Sequence, residues 1–130
     1  MTYAKVDIEN YLYEIKEKIK KKQYMISHRG KNEQLKLTYL IDDNKQEEIL
    51  KDLNVEDFSE AVRNSHPEHS DEILYIFGKY VSLIPRFGGN EKKVELYIKF
   101  NKLPDNVIVI SFHEAEYPLT RYFKEEKEGD

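Results

Sequence analysis

Apolar side chains near the start of the chain recur at helical spacing. Ile8, Leu12, Ile15 and Ile19 fall three or four residues apart, which places all of them on one face of a helix. Asp7 precedes this face as a candidate N-cap, and lysines at 20–22 follow it at the end where a helix favours cations. The pattern therefore predicts an amphipathic first helix, with residues 23–27 as a short candidate strand behind it.

Shorter helical segments are predicted next. Residues 33–39 and 45–51 carry leucine and isoleucine at helical spacing, and Asp42-Asp43-Asn44 forms a break and a cap between them. Asn54 caps a helical turn over 54–58. Residues 28–32 are predicted as a basic loop, and residues 63–71 give the strongest loop signal in the chain.

The second half of the chain predicts three strands, over residues 73–81, 94–100 and 107–112. In the second strand Glu95, Tyr97 and Lys99 share one face, because successive side chains alternate across a sheet. In the third strand the set Ile108, Ile110 and Phe112 alternates with the set Val109, Ser111 and His113. If the first set faces the core, His113 emerges beside Tyr97 and Lys99.

This order of elements predicts an α+β fold, with N-terminal helices packed on a small antiparallel sheet of three to four strands. A length of 130 residues fits one domain. We expect that domain to span residues 1–124, with an acidic tail over 125–130.

The composition of the chain excludes several kinds of functional site. The chain lacks cysteine, which excludes disulfides, thiolate catalysis and cysteine-based zinc sites. It has neither a long apolar run nor an apolar leader, so a cytoplasmic protein without a membrane partner is expected. The net charge of −4 is uneven: residues 1–40 carry +4, 41–72 carry −8, 73–124 carry +3 and 125–130 carry −3. The overall acidity is therefore only a weak argument against nucleic-acid binding, which depends on local basic surface.

His113 is the main catalytic candidate, because histidine exchanges protons near neutrality and a strand end can hold it toward solvent. The structural alternative is a strand-end histidine bonded to Glu114, Glu116 or a backbone carbonyl. Tyr97 and Lys99 are equally compatible with ordinary cross-strand surface residues. The pair His66 and His69 is predicted to belong to a loop, and we expect no metal or other cofactor.

Four segments together resemble a known family. They are Ile49–Phe58, the "YIFGK" of residues 75–79, the "LYIK" of residues 96–99, and Val109–Leu119 with its "SFHEAEYP" core. In this order they resemble the MqsR-like toxins of type II toxin–antitoxin systems, messenger-RNA-cleaving members of the RelE-like group, over roughly residues 33–124. The resemblance implies a RelE-like fold and an endoribonuclease that needs no metal. It also implies a cognate antitoxin as partner, and the ribosome as a further candidate.

The resemblance also implies roles for individual residues of this chain, by their position in the matching segments. Tyr97 and Lys99 match the family's sheet tyrosine and lysine, whereas His113 stands where a lysine is expected. Two polar positions are not kept, because Glu60 replaces a lysine and Ile76 a glutamine. Either Lys79 and His113 take over these roles, or catalysis is weak or altered. The predicted catalytic residues are His113, Tyr97, Lys99 and Lys79, and the predicted RNA-binding residues are Arg29, Lys31 and Arg121. The alternative is a non-catalytic interaction module that binds a partner without cleaving RNA.

Overall fold

The computed structural model describes residues 2–123, and the predicted acidic tail lies outside them. Three helices are present in this part of the chain: α1 over Lys5–Lys20, α2 over Gly30–Thr38 and α3 over Asp43–Lys51. Five strands accompany them: β1 over Tyr24–Ile26, β2 over Phe58–Arg63, β3 over Ile73–Leu83, β4 over Lys92–Lys102 and β5 over Val107–Glu114. Single 3-10 turns occupy Val55–Asp57 and Pro67–His69. None of the helices within residues 2–123 is long and apolar enough to cross a membrane.

The strands form one mixed sheet in the order β1-β5-β4-β3-β2. The α+β class is confirmed, but the prediction of a purely antiparallel sheet with three to four strands is wrong. β1 pairs with β5 in parallel, with Tyr24 opposite Val107. β2 was missed because its alternation is broken: Phe58 and Ser59 are both buried at a bulge, so the segment lacks the period-two pattern of a strand.

The core lies between one face of the sheet and the helices. The predicted face of α1 is fully buried there, since Ile8, Leu12, Ile15 and Ile19 are each at most 4% exposed. They meet the even positions of β4, such as Leu96 and Ile98, in one apolar cluster. Burial of this continuous apolar surface is the main force that holds α1 on the sheet.

Helix boundaries differ from the predictions in two places. α1 begins two residues before Asp7, and Ala4 at its N-cap position makes no side-chain cap, so the predicted Asp7 cap is wrong. α2 begins at Gly30, within the segment predicted as a loop. The Asp42 and Asn54 caps are confirmed: Asp42 accepts from the Lys45 amide, and Asn54 forms a capping box with Asp57.

The opposite face of the sheet, which we call the open face, carries Tyr97 and Lys99 of β4 as predicted. Residues 115–123, the crossing segment, run over part of it. The Ala115 amide extends the β4–β5 pairing by donating to the Glu95 carbonyl, and the Tyr122 amide reaches Phe58 of β2. The crossing segment therefore spans the open face from β5 to β2.

Candidate functional site

A cleft of about 500 Å³ opens on the open face between α2, β4, β5 and the crossing segment. Its lining is predominantly basic and aromatic, with a single acidic residue, and consists of Arg29, Gly30, Lys31, Tyr97, Lys99, Ser111, His113, Glu116, Tyr117 and Leu119. Five of the seven residues predicted for catalysis or RNA binding are among them. The acidic segment 41–72 contributes none of the lining, so the negative charge of the chain is concentrated elsewhere.

Tyr97 and His113 form the floor of the cleft as a stacked pair. They are direct cross-strand partners, and their rings lie 5.2 Å apart between centroids with an interplanar angle of 12°. The His113 Nδ1 lies 3.0 Å from the carbonyl oxygen of Glu114. Because a carbonyl can only accept, Nδ1 must carry the proton of this bond. When the ring carries this proton alone, Nε2 has a free lone pair for a substrate.

Lys99 lies one residue pair farther along the same face, opposite Ser111. Burial and then the nearby Arg29 lower the pKa of Lys99 below its ordinary value. Within residues 2–123 no carboxylate forms an ion pair with Lys99. Its charge is thus partly desolvated and available to an anion, which is the environment of a phosphate-binding or charge-stabilising lysine.

The Tyr97 hydroxyl is held in its protonated form. Burial raises the pKa of Tyr97 above the ordinary value, and the neighbouring Tyr117 and Glu60 raise it further. A phenol in this state donates a hydrogen bond or a proton at neutral pH and does not act as a base. In this cleft, His113 is therefore the group suited to accept a proton and Tyr97 the group suited to give one.

The mouth of the cleft carries basic residues from the start of α2. Lys31 Nζ lies 2.5 Å from Glu116 Oε2 of the crossing segment, and both side chains are more than half exposed. The bond from Lys31 holds the pKa of Glu116 below its ordinary range. Glu116 therefore stays ionised at neutral pH. It is bound to Lys31 at the mouth of the cleft, where an incoming phosphate would otherwise bind.

Lys79 is not part of this site. It pairs across the sheet with the core residue Leu96 and projects to the helix side, where its ammonium lies 3.0 Å from Asp52 and 3.9 Å from Asp57. The prediction that Lys79 supports catalysis beside His113 is therefore wrong in geometry. The signal was available, since Lys79 shares strand parity with Phe77, which is wholly buried.

Arg121 lies on the open face but outside the cleft lining, and it already has a partner. Its guanidinium Nη2 is 2.6 Å from Glu95 Oε2, with both side chains about nine-tenths buried. It sits directly over Gly78, where an added Cβ would lie only 2.6 Å from Arg121 Nη1 and 2.7 Å from Leu119 Cδ1. Arg121 thus fastens the crossing segment to the sheet, and its predicted contact with RNA would require that ion pair to open.

Glu60 and Ile76, the two positions at which the resemblance is not kept, lie in the same row of paired residues across the sheet as Lys99. Glu60 pairs with Ile76, Ile76 with Lys99, and Lys99 with Ser111, so the row crosses four strands on the open face. Ile76 is 3% exposed and supplies no polar group. The next row contains Gly78, Tyr97 and His113. The polar side chains of these two rows that could take part in catalysis therefore lie on β4 and β5.

The His66 and His69 loop contains a second group of ionisable side chains. With Glu68 they place three potential metal-ligand atoms within 4.8 Å of one another, all exposed. However, the His66 Nδ1 accepts the Glu68 amide as a helix cap, and His69 Nδ1 faces Glu72 at 3.5 Å. None of the three lines the cleft.

Asn32 is the residue of this region that the sequence prediction missed. The sequence predicts a loop at this position, but Asn32 lies in α2 and is 2% exposed. The signal was its spacing of three and seven residues before Leu35 and Tyr39, which are both buried. A polar residue on an apolar helix face indicates a buried amide with specific partners.

Comparison with protein-family models, with curated proteins and with solved structures finds no match to this chain. The resemblance to MqsR-like toxins stays a prediction.

Proposed function

We propose that this protein is a metal-independent endoribonuclease that cleaves single-stranded RNA in the cleft at Tyr97, Lys99 and His113. The observation that carries the proposal is the stacked Tyr97–His113 pair, with an unpaired, partly buried lysine beside it and basic residues at the mouth. These groups supply a proton acceptor, a proton donor and a charge stabiliser within one cleft.

The reaction follows from these roles. The Nε2 of His113 takes the proton of the ribose 2′-hydroxyl as its oxygen attacks the adjacent phosphorus. The new O2′–P bond forms as the P–O5′ bond breaks, and the Tyr97 hydroxyl protonates the departing O5′. Lys99 stabilises the negative charge that develops on the phosphoryl oxygens. The products are a 2′,3′-cyclic phosphate and a 5′-hydroxyl, and a proton passes from His113 back to Tyr97 through solvent.

Charge distribution supports RNA as the substrate class. Arg29 and Lys31 flank the cleft on one side and Lys99 lies within it, so the cleft is locally basic despite the net charge of −4, even with Lys31 paired to Glu116. Tyr117, at the rim, is 67% exposed and offers an aromatic face to an unstacked base. A duplex would not present such a base, which favours single-stranded RNA.

The biological setting of the proposal rests on the family resemblance. We infer that the protein acts as a toxin that arrests growth by cleaving messenger RNA and that a cognate antitoxin protein neutralises it. Association with the ribosome is part of the same inference. The RelE-like fold is likewise proposed on the resemblance, supported by helices packed on one face of a sheet.

The test compares purified variants on a labelled single-stranded RNA in the presence of a chelator. His113→Ala and Lys99→Ala should each lower the cleavage rate by about 10²-fold or more, the scale of a lost general base or charge stabiliser. Tyr97→Phe should keep the stack but lose the proton donor, so it should slow cleavage with little change in RNA affinity. Expression of the wild-type chain alone should arrest growth, and His113→Ala should relieve the arrest.

Two matched controls lie outside the cleft. His69→Ala removes an exposed histidine and Lys79→Ala removes a lysine on the opposite face, and both should cleave at the wild-type rate. Intact RNA with the wild-type protein would overturn the proposal. Intact RNA together with tight binding of a protein partner would instead support the non-catalytic interaction module, which the replacement of the family's lysine by Glu60 and of its glutamine by Ile76 favours.

A further inference from the structure

The side chain of Asn32 binds three backbone groups, one at Ser27 and two in β5. Its Nδ2 donates to the Ser27 carbonyl at 2.9 Å and to the Ile110 carbonyl at 3.0 Å, and its Oδ1 accepts from the Phe112 amide at 2.8 Å. These partners account for both amide hydrogens and the carbonyl oxygen. The helix α2 is thereby linked directly to the strand that carries His113.

These bonds lie where β5 loses its neighbouring strand. β1 pairs with β5 only as far as Ile26 opposite Val109, and the Ser27 amide makes the last contact, to the Val109 carbonyl. Beyond that point the Ile110 carbonyl and the Phe112 amide would have no strand beside them. A primary amide presents a donor and an acceptor in the same arrangement as a peptide group, so Asn32 substitutes for the missing strand residue.

The same place contains a bulge in β5. Phe100 of β4 pairs with Val109, and the preceding residue Lys99 pairs with Ser111, so Ile110 is an extra residue on the β5 side. An extra residue reverses the alternation of the side chains that follow it. Val107 and Val109 face the core before the bulge, and Phe112 faces the core after it.

The position of His113 depends on this reversal. If β5 continued the alternation set by Val107 and Val109, Ser111 and His113 would face the core and Phe112 would face the cleft. The prediction that Ile108 and Ile110 share the core face with Phe112 is wrong for this reason, although it placed His113 on the correct face. The bulge brings His113 opposite Tyr97.

We propose that Asn32 is the positioning residue of this site: it holds the bulge at Ile110 and so turns His113 onto Tyr97. As a statement about catalysis this rests on the proposed ribonuclease function, whereas as a statement about the orientation of His113 it does not. Asn32 also fixes the start of α2, so the same side chain sets Arg29 and Lys31 relative to His113.

The first test is made on the wild-type protein by nuclear magnetic resonance. The Phe112 amide should be protected from hydrogen exchange and should show nuclear Overhauser contacts to the Asn32 side-chain amide. The His113 ring protons should be shifted upfield by the stacked Tyr97 ring. Fast exchange at Phe112, or the absence of these contacts, would overturn the inference without any variant.

The second test uses Asn32→Ala, which removes all three bonds, and Asn32→Asp, which keeps the acceptor for Phe112 and loses the donor. In folded samples we expect the upfield shift of His113 to be lost in Asn32→Ala and reduced in Asn32→Asp. Asn10→Asp, the same change at an exposed position of α1, should leave the shift unchanged. A wild-type His113 shift in Asn32→Ala would refute the positioning role.

Catalysis gives a separate readout. Displacement of His113 should lower kcat by about 10²-fold while KM changes much less, because the remaining cations still bind RNA. If the wild-type protein does not cleave RNA but the His113 shift depends on Asn32, the proposed function fails and the positioning role stands. If cleavage is normal in Asn32→Ala, the positioning role fails and the proposed function stands.

Discussion

An added methyl group at Gly78 should displace the two side chains, Arg121 and Leu119, that hold the crossing segment on the sheet. Gly78 does not adopt a positive φ, so alanine fits its backbone, and the cost of Gly78→Ala is steric. The new Cβ would lie 2.6 Å from Arg121 Nη1 and 2.7 Å from Leu119 Cδ1, well inside van der Waals contact. Both side chains must shift, and a shift of the Arg121 guanidinium weakens its ion pair with Glu95.

Overpacking of this kind costs about 1–3 kcal/mol, and weakening of a mostly buried ion pair adds to it. The loss of conformational freedom in the unfolded chain returns about 0.5–1 kcal/mol. We therefore expect Gly78→Ala to lower the free energy of unfolding by about 1–2 kcal/mol, which corresponds to roughly 3–10 °C in Tm for a chain of this size.

Urea denaturation followed by circular dichroism measures this change, with Gly30→Ala as the matched control. A Cβ at Gly30 meets nothing within 4 Å and the residue has no positive φ, so Gly30→Ala should be neutral or slightly stabilising. Leu119→Ala should relieve part of the clash, making the double variant less destabilised than the sum of the single ones. Wild-type stability in Gly78→Ala would refute the reasoning, because the crossing segment would then not be tightly packed on Gly78.

Two further outcomes follow from charges at the cleft. Glu116→Gln removes the carboxylate that competes with phosphate at Lys31, so the affinity for a non-cleavable RNA analogue should rise by about two- to fivefold, measured by fluorescence anisotropy; unchanged affinity would contradict this role. Lys99→Met should lower the cleavage rate by about 10²-fold or more, as Lys99→Ala should, yet stabilise the fold at neutral pH. Because folding lowers the pKa of Lys99, the unfolded chain keeps the Lys99 proton to higher pH than the folded chain does. The free energy of unfolding of the wild-type protein therefore rises as the pH increases from the folded pKa toward 10.5. The stability difference between Lys99→Met and wild type should shrink over that interval, and a constant difference would contradict the assignment.

Local patterns predicted those parts of the structure that local interactions determine. The apolar face of α1 and the strict alternation of β4 need no information from distant residues, and Tyr97 and Lys99 are correctly placed on that basis. The Asn54 capping box is equally local, since donor and acceptor lie three residues apart.

The remaining features depend on contacts between distant segments. The β5 bulge is hydrogen-bonded to Asn32, 78 residues before Ile110, and the parallel partner β1 precedes β5 by about 80 residues. Lys79 shows a different kind of error: it was predicted to take over a polar position that the resemblance does not keep, whereas strand parity places it on the helix side.

The Lys31–Glu116 ion pair should reduce the dependence of RNA affinity on salt concentration. A cation that binds a phosphate normally releases a condensed counterion, which contributes about 0.7 to the slope of log affinity against log salt on single strands. Lys31 is already neutralised by a carboxylate of the same chain, so RNA would displace Glu116, and that carboxylate would recruit a cation from solution. The exchange at Lys31 then releases few net ions. The ionic-strength dependence of RNA binding should accordingly count Arg29 and Lys99 but not Lys31, and be shallower than the number of basic residues in the cleft suggests.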